Sequence, residues 1–300
     1  MAKKITVFFI ILSAFITIAA TIGFAVIKQN NQQQLLGLQR QLASMSESLQ
    51  QQQDELIQQQ QQLEQAQQNY ESEKQRADRL QSDIDTLREK NADKKICFLT
   101  FDDGPSKNTP KILDILQRYN IKATFFVIGR GETKYMKNIV DAGHAIGLHS
   151  YTHDFSQIYQ NETAYFEDLQ KLSDLVREKT GVTTTLLRFP GGSSNIASKK
   201  YCSGIMTTLA KSVEQKGYTY FDWNCDSHDA DSTTVPASEI INGIKREAGP
   251  KHLTVLMHDA GTKTSTVEAL PAVIEYLQQQ GYSFQKLNKI VKPYHHRINN

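Results

Sequence analysis

The sequence predicts an α/β chain: a distorted (β/α)7-type barrel preceded by a transmembrane helix and a long coiled-coil stalk. Three observations predict it. An uncharged run fills residues 5–27. Apolar residues then recur every seven positions from Leu35 to Ile84. From Lys94 onward, short apolar runs alternate with amphipathic stretches, the pattern of parallel strands joined by crossover helices. The expected divisions are 1–28 for a cytoplasmic tip and membrane anchor, 29–92 for a glutamine-rich stalk, and 93–300 for a folded domain.

Lys3 and Lys4 precede the uncharged run. About 20 residues of helix span the bilayer hydrocarbon, whereas a secretory signal has an apolar region of roughly 7–15 residues. The longer run predicts an uncleaved signal anchor. Gly23-Phe24-Ala25 has the small-x-small form of a cleavage site, so removal stays open. The basic end stays in the cytoplasm. The expected location is the cell membrane, crossed once, with everything after Lys28 outside.

Residues 30–90 are rich in glutamine and contain no proline. Disordered low-complexity chain is one reading. Heptad spacing argues for another. Leu35, Leu42, Leu49, Leu56, Leu63, Tyr70, Ala77 and Ile84 form one seam position. Leu38, Met45, Ala66, Leu80 and Leu87 form its companion, which Gln52, Gln59 and Glu73 interrupt. That is a coiled-coil register with a weak polar middle, reaching roughly 90 Å if fully helical. It predicts a self-associating stalk of unspecified oligomer state, closed by Asn91-Ala92-Asp93.

In the remaining chain the expected strands are 96–101, 123–128, 145–148, 186–189, 218–224 and 253–257, with a weaker one at 282–285. Expected helices are 110–119, 134–142, 162–180, 205–216, 236–247 and 267–279. Six or seven such units point to a barrel, incomplete or distorted, rather than an open sheet. The formal net charge of +2 gives no argument for nucleic acid or a strongly acidic partner. Cys97, Cys202 and Cys225 have neither the number nor the spacing for a disulfide framework or a zinc ribbon.

Polar residues with chemical potential gather at the ends of the predicted strands. Thr100-Phe101-Asp102-Asp103-Gly104-Pro105 ends the first. Gly-Pro forces a turn, which lets two adjacent acids serve one pocket, one binding a metal and one taking a proton. A solvated acidic turn is the alternative. His149-Ser150-Tyr151-Thr152-His153 follows the third strand. Two histidines four apart can share one face of a helical turn and bind one metal; paired surface or core histidines are the plain reading. With Asp103 they form a set of two imidazoles and a carboxylate that leaves coordination positions open.

Arg188-Phe189-Pro190-Gly191-Gly192 ends the fourth strand. An arginine there can pair bidentately with a carboxylate, and glycines let a backbone N–H approach a substrate closely. Trp223, the chain's single tryptophan, opens Trp223-Asn224-Cys225-Asp226-Ser227-His228-Asp229. It is either core or the wall of a sugar pocket. Leu256-Met257-His258-Asp259 ends the sixth strand, and an acid such as Asp229 beside His258 would favour its charged form.

These pieces, in this order, resemble the polysaccharide deacetylase family, also called the NodB homology family or carbohydrate esterase family 4. The resemblance covers roughly residues 94–291. It implies a distorted barrel of about seven βα units. It also implies a metal-dependent hydrolase that removes acetyl from N-acetylated, sometimes O-acetylated, sugars. Carried over residue by residue, it makes Asp103, His149 and His153 metal ligands and Asp102 the general base. Arg188 would orient that base, and His258, held by Asp229, would be the general acid. Gly191 would offer an oxyanion N–H, and Trp223 and Leu256 would wall the pocket. Many members have tyrosine where Gly191 stands, so this chain lacks that wall. Asp226, His228 and Asp259 receive no role.

The implied cofactor is one divalent ion, zinc foremost, with cobalt, nickel and iron also suited to two histidines and a carboxylate. The implied partners are an acetylated glycan, the membrane and a second copy of the stalk. An anchored, outward-facing enzyme points to peptidoglycan N-acetylglucosamine. Chitin oligomers, acetylated xylan, a non-catalytic glycan-binding module, and a chain whose main function is the coiled coil are the alternatives.

Overall fold

The computed structural model describes residues 2–300; Met1 and the side chains of residues 2–9 and 11 lie outside the description. The expected cytoplasmic Lys3-Lys4 pair is therefore outside the described side chains. The chain divides into two compact units, Met1–Gln81 and Ser82–Asn300.

Helix α1 runs from Ala2 to Asn91. Its Leu, Gln, Glu and Ala residues lose little side-chain freedom in a helix. An 18-residue window near its start has mean hydropathy 1.6, long and apolar enough to cross a membrane. In that stretch the Ser13 hydroxyl donates to Ile10 O at 3.0 Å, and Thr17 donates to Ser13 O at 2.7 Å. Those hydroxyls are satisfied without water. Further along, Leu35, Leu42, Leu49, Leu56, Leu63 and Leu80 are all exposed. The heptad positions thus form an uncovered apolar seam.

The second unit is built on an eight-stranded parallel sheet. Its strands are β1 (Ile96–Asp102), β2 (Thr124–Ile128), β3 (Ala145–Ser150), β4 (Leu186–Leu187), β5 (Thr219–Tyr220), β6 (Cys225–Asp226), β7 (His252–His258) and β8 (Ser283–Phe284). The order across the sheet is β5-β4-β3-β2-β1-β7-β6. β7 pairs with β1 along its whole length, from Ile96↔His252 to Asp102↔His258. β8 pairs with the start of β1, and β2 pairs with its end. β5 and β6 are the two edges and do not pair with each other, so the sheet curls into a half-barrel and stays open.

All seven residues of β1 are buried, because both faces of the parallel sheet are covered. Alternation sorts them. Cys97, Leu99 and Phe101 join the main core, with Leu253, Val255 and Met257 of β7 and with helical residues such as Ile112, Leu172, Leu209, Ile240 and Leu270. Ile96 and Phe98 point the other way, into a smaller inner cluster with Phe126, Leu186 and Phe221. Thr100, Asp102 and, by register, Leu256 and His258 continue that inner side.

The helices of this unit are α2 (Thr109–Arg118), α3 (Met136–Asp141), α4 (Phe155–Ile158), α5 (Glu162–Thr180), α6 (Ile205–Gln215), α7 (Ala237–Glu247) and α8 (Thr264–Gln279). α5 begins where the Asn161 side chain accepts from Ala164 N and ends at Gly181, whose φ is 72°. Of the expected strand over 218–224 only Thr219–Tyr220 joins the sheet, as β5; the next strand, β6, starts at Cys225 on the opposite edge. The chain leaves the ladder at Asp222, whose N–H donates to Tyr294 O at 3.0 Å.

Candidate active site

In a parallel sheet all carboxyl ends fall on one side, so the motif-bearing ends of β1, β3, β4 and β7 converge. Asp103 has a φ of 68°, so the chain already turns at this residue rather than at Gly104. That turn separates the two acids. Asp103 Oδ1 lies 3.3 Å from His149 Nε2 and 3.1 Å from His153 Nε2.

The two histidines do not share a helical turn, as their spacing suggested. His149 is in β3, and His153 follows in a loop with a φ of 52°. Their rings nonetheless come within 5.1 Å. Asp168 holds this loop. Its Oδ2 accepts from Ser150 Oγ at 2.8 Å and Tyr151 N at 2.6 Å. Its Oδ1 accepts from Thr152 N at 2.9 Å and Thr152 Oγ1 at 2.7 Å. Ser150 Oγ then accepts from His153 N at 2.9 Å. Asp168 was missed in the sequence, though its signal was present: an acid on the stripe of Tyr165, Leu169, Leu172 and Val176 that α5 buries.

His149 Nδ1 donates to Arg188 O at 2.8 Å, which turns the lone pair of Nε2 toward Asp103. Asp103 Oδ1 is buried and accepts no well-directed hydrogen bond. Burial alone would raise the Asp103 carboxyl, but when the two imidazoles carry protons they outweigh it and hold it well below the usual range. The ligand atoms of Asp103, His149 and His153 lie within 4.8 Å of one another, and no other such cluster occurs among the described residues. An unsatisfied anionic oxygen beside two imidazole nitrogens fits one divalent ion with positions left open.

Asp102 faces inward and is 3% exposed. Its Oδ1 accepts from Arg188 Nη1 at 2.9 Å. Bidentate pairing was expected; the structure gives a single bond. The other arginine donors go to Thr100 Oγ1 (2.6 Å), Phe221 O (2.9 Å) and Asp222 O (3.1 Å). The guanidinium also lies 4.4 Å from the Phe126 ring centroid. A fully buried cation held this way has one orientation.

His258 is the register partner of Asp102 on the adjacent strand. Its Nδ1 lies 2.7 Å from Asp229 Oδ1, and its N–H donates to Asp229 Oδ2 at 2.8 Å. Thr266 Oγ1 also donates to Oδ2. Burial would lower the His258 pKa, but Asp229 outweighs burial and takes it up to about 9.

Of the residues left without a role, Asp259 is buried, and its carboxyl occupies the space above Gly104, where a Cβ would meet it at 2.1–2.3 Å. Thr109 Oγ1 donates to it. Burial takes its pKa up to about 7. His228 lies between Asp231 at 3.2 Å and Glu247 at 3.3 Å, and Asp226 Oδ1 accepts from His228 N.

Gly191 and Gly192 have φ of 76° and 77°, where a side chain is strained. A Cβ on Gly191 would also meet the Phe155 ring at 3.1 Å, and one on Gly192 would meet Trp223 at 2.9 Å. Phe155, whose ring is 6.0 Å from that of His153, therefore stands where a side chain at position 191 would begin. Sequence reasoning did not single it out. Trp223 is half-buried, with its ring 5.7 Å from the Arg188 guanidinium. Leu256 is buried beside Thr100 on the inner side.

A family model described as polysaccharide deacetylase matches residues 89–220. A peptidoglycan-N-acetylglucosamine deacetylase of Bacillus cereus (strain ATCC 14579) is 31% identical over 205 residues, 66% of this chain and 71% of that protein. Among solved structures, the catalytic domain of peptidoglycan N-acetylglucosamine deacetylase from Eubacterium rectale ATCC 33656 is 38% identical with a TM-score of 0.66. The match covers 69% of this chain and 94% of that one. A Streptococcus mutans CE4 esterase is 30% identical with a TM-score of 0.57, covering 68% of this chain and 91% of that one.

Proposed function

This chain belongs to the polysaccharide deacetylase family, and from that premise we propose that it removes N-acetyl groups from N-acetylglucosamine in peptidoglycan. The observation that carries the reading is the unsatisfied Asp103 oxygen set between His149 and His153, with the Asp102 and His258 strand ends adjacent. The relatives from B. cereus and E. rectale, at 31% and 38% identity, support the choice of glycan.

Asp103, His149 and His153 would hold the ion, with zinc the first choice for this donor set. Such an ion lowers the pKa of water toward about 7 and polarises a carbonyl. The residues do the rest. Asp102, aimed by Arg188, accepts the proton of the attacking water. The Gly191 N–H, which donates to no acceptor among the described residues, meets the developing oxyanion. One such donor is worth about 2.7–4 kcal/mol. His258, charged and held by Asp229, gives its proton to the departing amine, which is otherwise a poor leaving group.

We read the apolar start of α1 as a single-pass anchor that keeps the catalytic domain outside the cell, and its heptad seam as a self-association surface. To test the function, full-length protein in detergent with zinc or cobalt is incubated with peptidoglycan, chitin oligomers and acetylated xylan. Acetate release should be fastest from peptidoglycan. Faster release from another glycan moves the substrate assignment, and no acetate from any of them ends the reading.

A further inference from the structure

Asp222 is fully buried and belongs to none of the motifs above. Its Oδ1 accepts from Ser193 N at 2.8 Å. Its Oδ2 accepts from Ser193 Oγ and, at 2.8 Å, from His296 N. Its main chain accepts from Arg188 Nη2 and donates to Tyr294 O. One residue thus touches the Gly191–Ser193 loop, the guanidinium that holds Asp102, and the segment 294–300. Burying a carboxylate is costly unless donors satisfy it; this one has three donors, all at the open edge of the sheet.

The segment 294–300 covers the edge left by β5. His295 stacks on Tyr220 at 3.7 Å and donates from Nε2 to Tyr220 O at 3.0 Å. His296 donates from Nε2 to Trp223 O at 2.7 Å, so its Nδ1 accepts from Ser194 Oγ at 3.1 Å. The His296 ring lies 4.7 Å from that of Trp223. Consecutive glycines at 191 and 192 carry no side chain to anchor their own turn. Tyr159 Oη donates to Pro190 O at 2.8 Å and Asn195 Nδ2 to Gly192 O at 2.9 Å, and one residue later Asp222 holds Ser193 through two bonds and ties the turn to segment 294–300.

We propose that Asp222 is a positioning residue for deacetylation: it docks segment 294–300 against the 191–193 loop and thereby fixes the Gly191 N–H and the Trp223 indole. The role rests on the proposed function for its kinetic consequence, but not for its structural one. Trp223 is the chain's single tryptophan, so intrinsic fluorescence reports this junction directly.

The test uses full-length Asp222→Asn and Ser193→Ala; the His296 donor is a main-chain N–H that no side-chain substitution removes. An asparagine accepts at one oxygen only, so either Ser193 or His296 loses its acceptor. Asp222→Asn should change the Trp223 emission and lower kcat by about tenfold or more, with KM and cobalt affinity near wild type, since small misplacements of positioned groups have large kinetic effects. Ser193→Ala, which removes the hydroxyl donor to Asp222, should move emission and kcat in the same direction by less, and it carries the test should Asp222→Asn not fold. Wild-type emission and kcat in the folded variants overturn the proposal. So does a loss of cobalt affinity in step with kcat, which indicates general disruption. If the wild-type protein releases no acetate, the functional reading fails, and emission alone decides whether Asp222 couples the two segments.

Discussion

Asp102 and Asp103 are neighbours with different partners, and their substitution should separate two functions. Asp102→Asn should lower kcat by about 10²–10⁴ while cobalt affinity, measured by titration, is kept. Asp103→Asn should abolish cobalt binding. The His258–Asp229 pair sets a pH dependence. The His258 pKa is raised from 6.5 to about 9, because Asp229 outweighs burial. The stabilisation from the charged imidazole is therefore complete below about 6.5 and lost as pH rises through about 9. Activity that needs this proton should fall over the same alkaline window, and Asp229→Asn should move the limb of the kcat–pH profile toward 6.5. At Gly104 the space for a Cβ is filled by the Asp259 carboxyl. Gly104→Ala should destabilise the fold by about 1–3 kcal/mol in urea denaturation.

At the scale of elements, α1 combines two solvents in one helix. Its apolar start suits lipid, and its later seam exposes leucines to water. A seam with a seven-residue period calls for a supercoiled partner. Flanking positions between 34 and 67 are uncharged except Glu55, so nothing repels an identical parallel copy. Ile84 belongs to the second unit and is half-buried, whereas Leu80 and Leu87 on the companion position stay exposed. A cysteine placed at Leu49 should cross-link two copies under mild oxidation, whereas one at Gln51, on the side of the helix away from the seam, should do so far less. Equal cross-linking would argue against a parallel, in-register pair. The strands show a different logic: inward alternation places Asp102 and His258 on the concave side, while their apolar neighbours face the helices.

At the scale of the whole molecule, the proposed ion ties β1 to β3 and its following loop, which are distant in sequence. A ligand that binds only the folded state adds about 2.7 kcal/mol at one hundred times its Kd. Chelation should therefore lower the thermal midpoint, and Asp103→Asn should remove the difference between chelated and zinc-loaded protein.

The sequence by itself determined the βα alternation, the bounds of long elements such as α5, the apolar start of α1, and the strand-end motifs. These signals are local: periodicity, caps and turn residues act within a few positions. Tertiary structure alone decided that 218–224 contributes only Thr219–Tyr220 to one sheet edge before the chain crosses to the other at Cys225, and that His149 and His153 meet across a loop. It also decided that Arg188 gives Asp102 one bond rather than two. Phe155, Asp168, Asp222 and segment 294–300 acquire their places only through partners remote in sequence. A buried polar group is placed by whatever donors the fold brings to it, and no local pattern encodes that meeting.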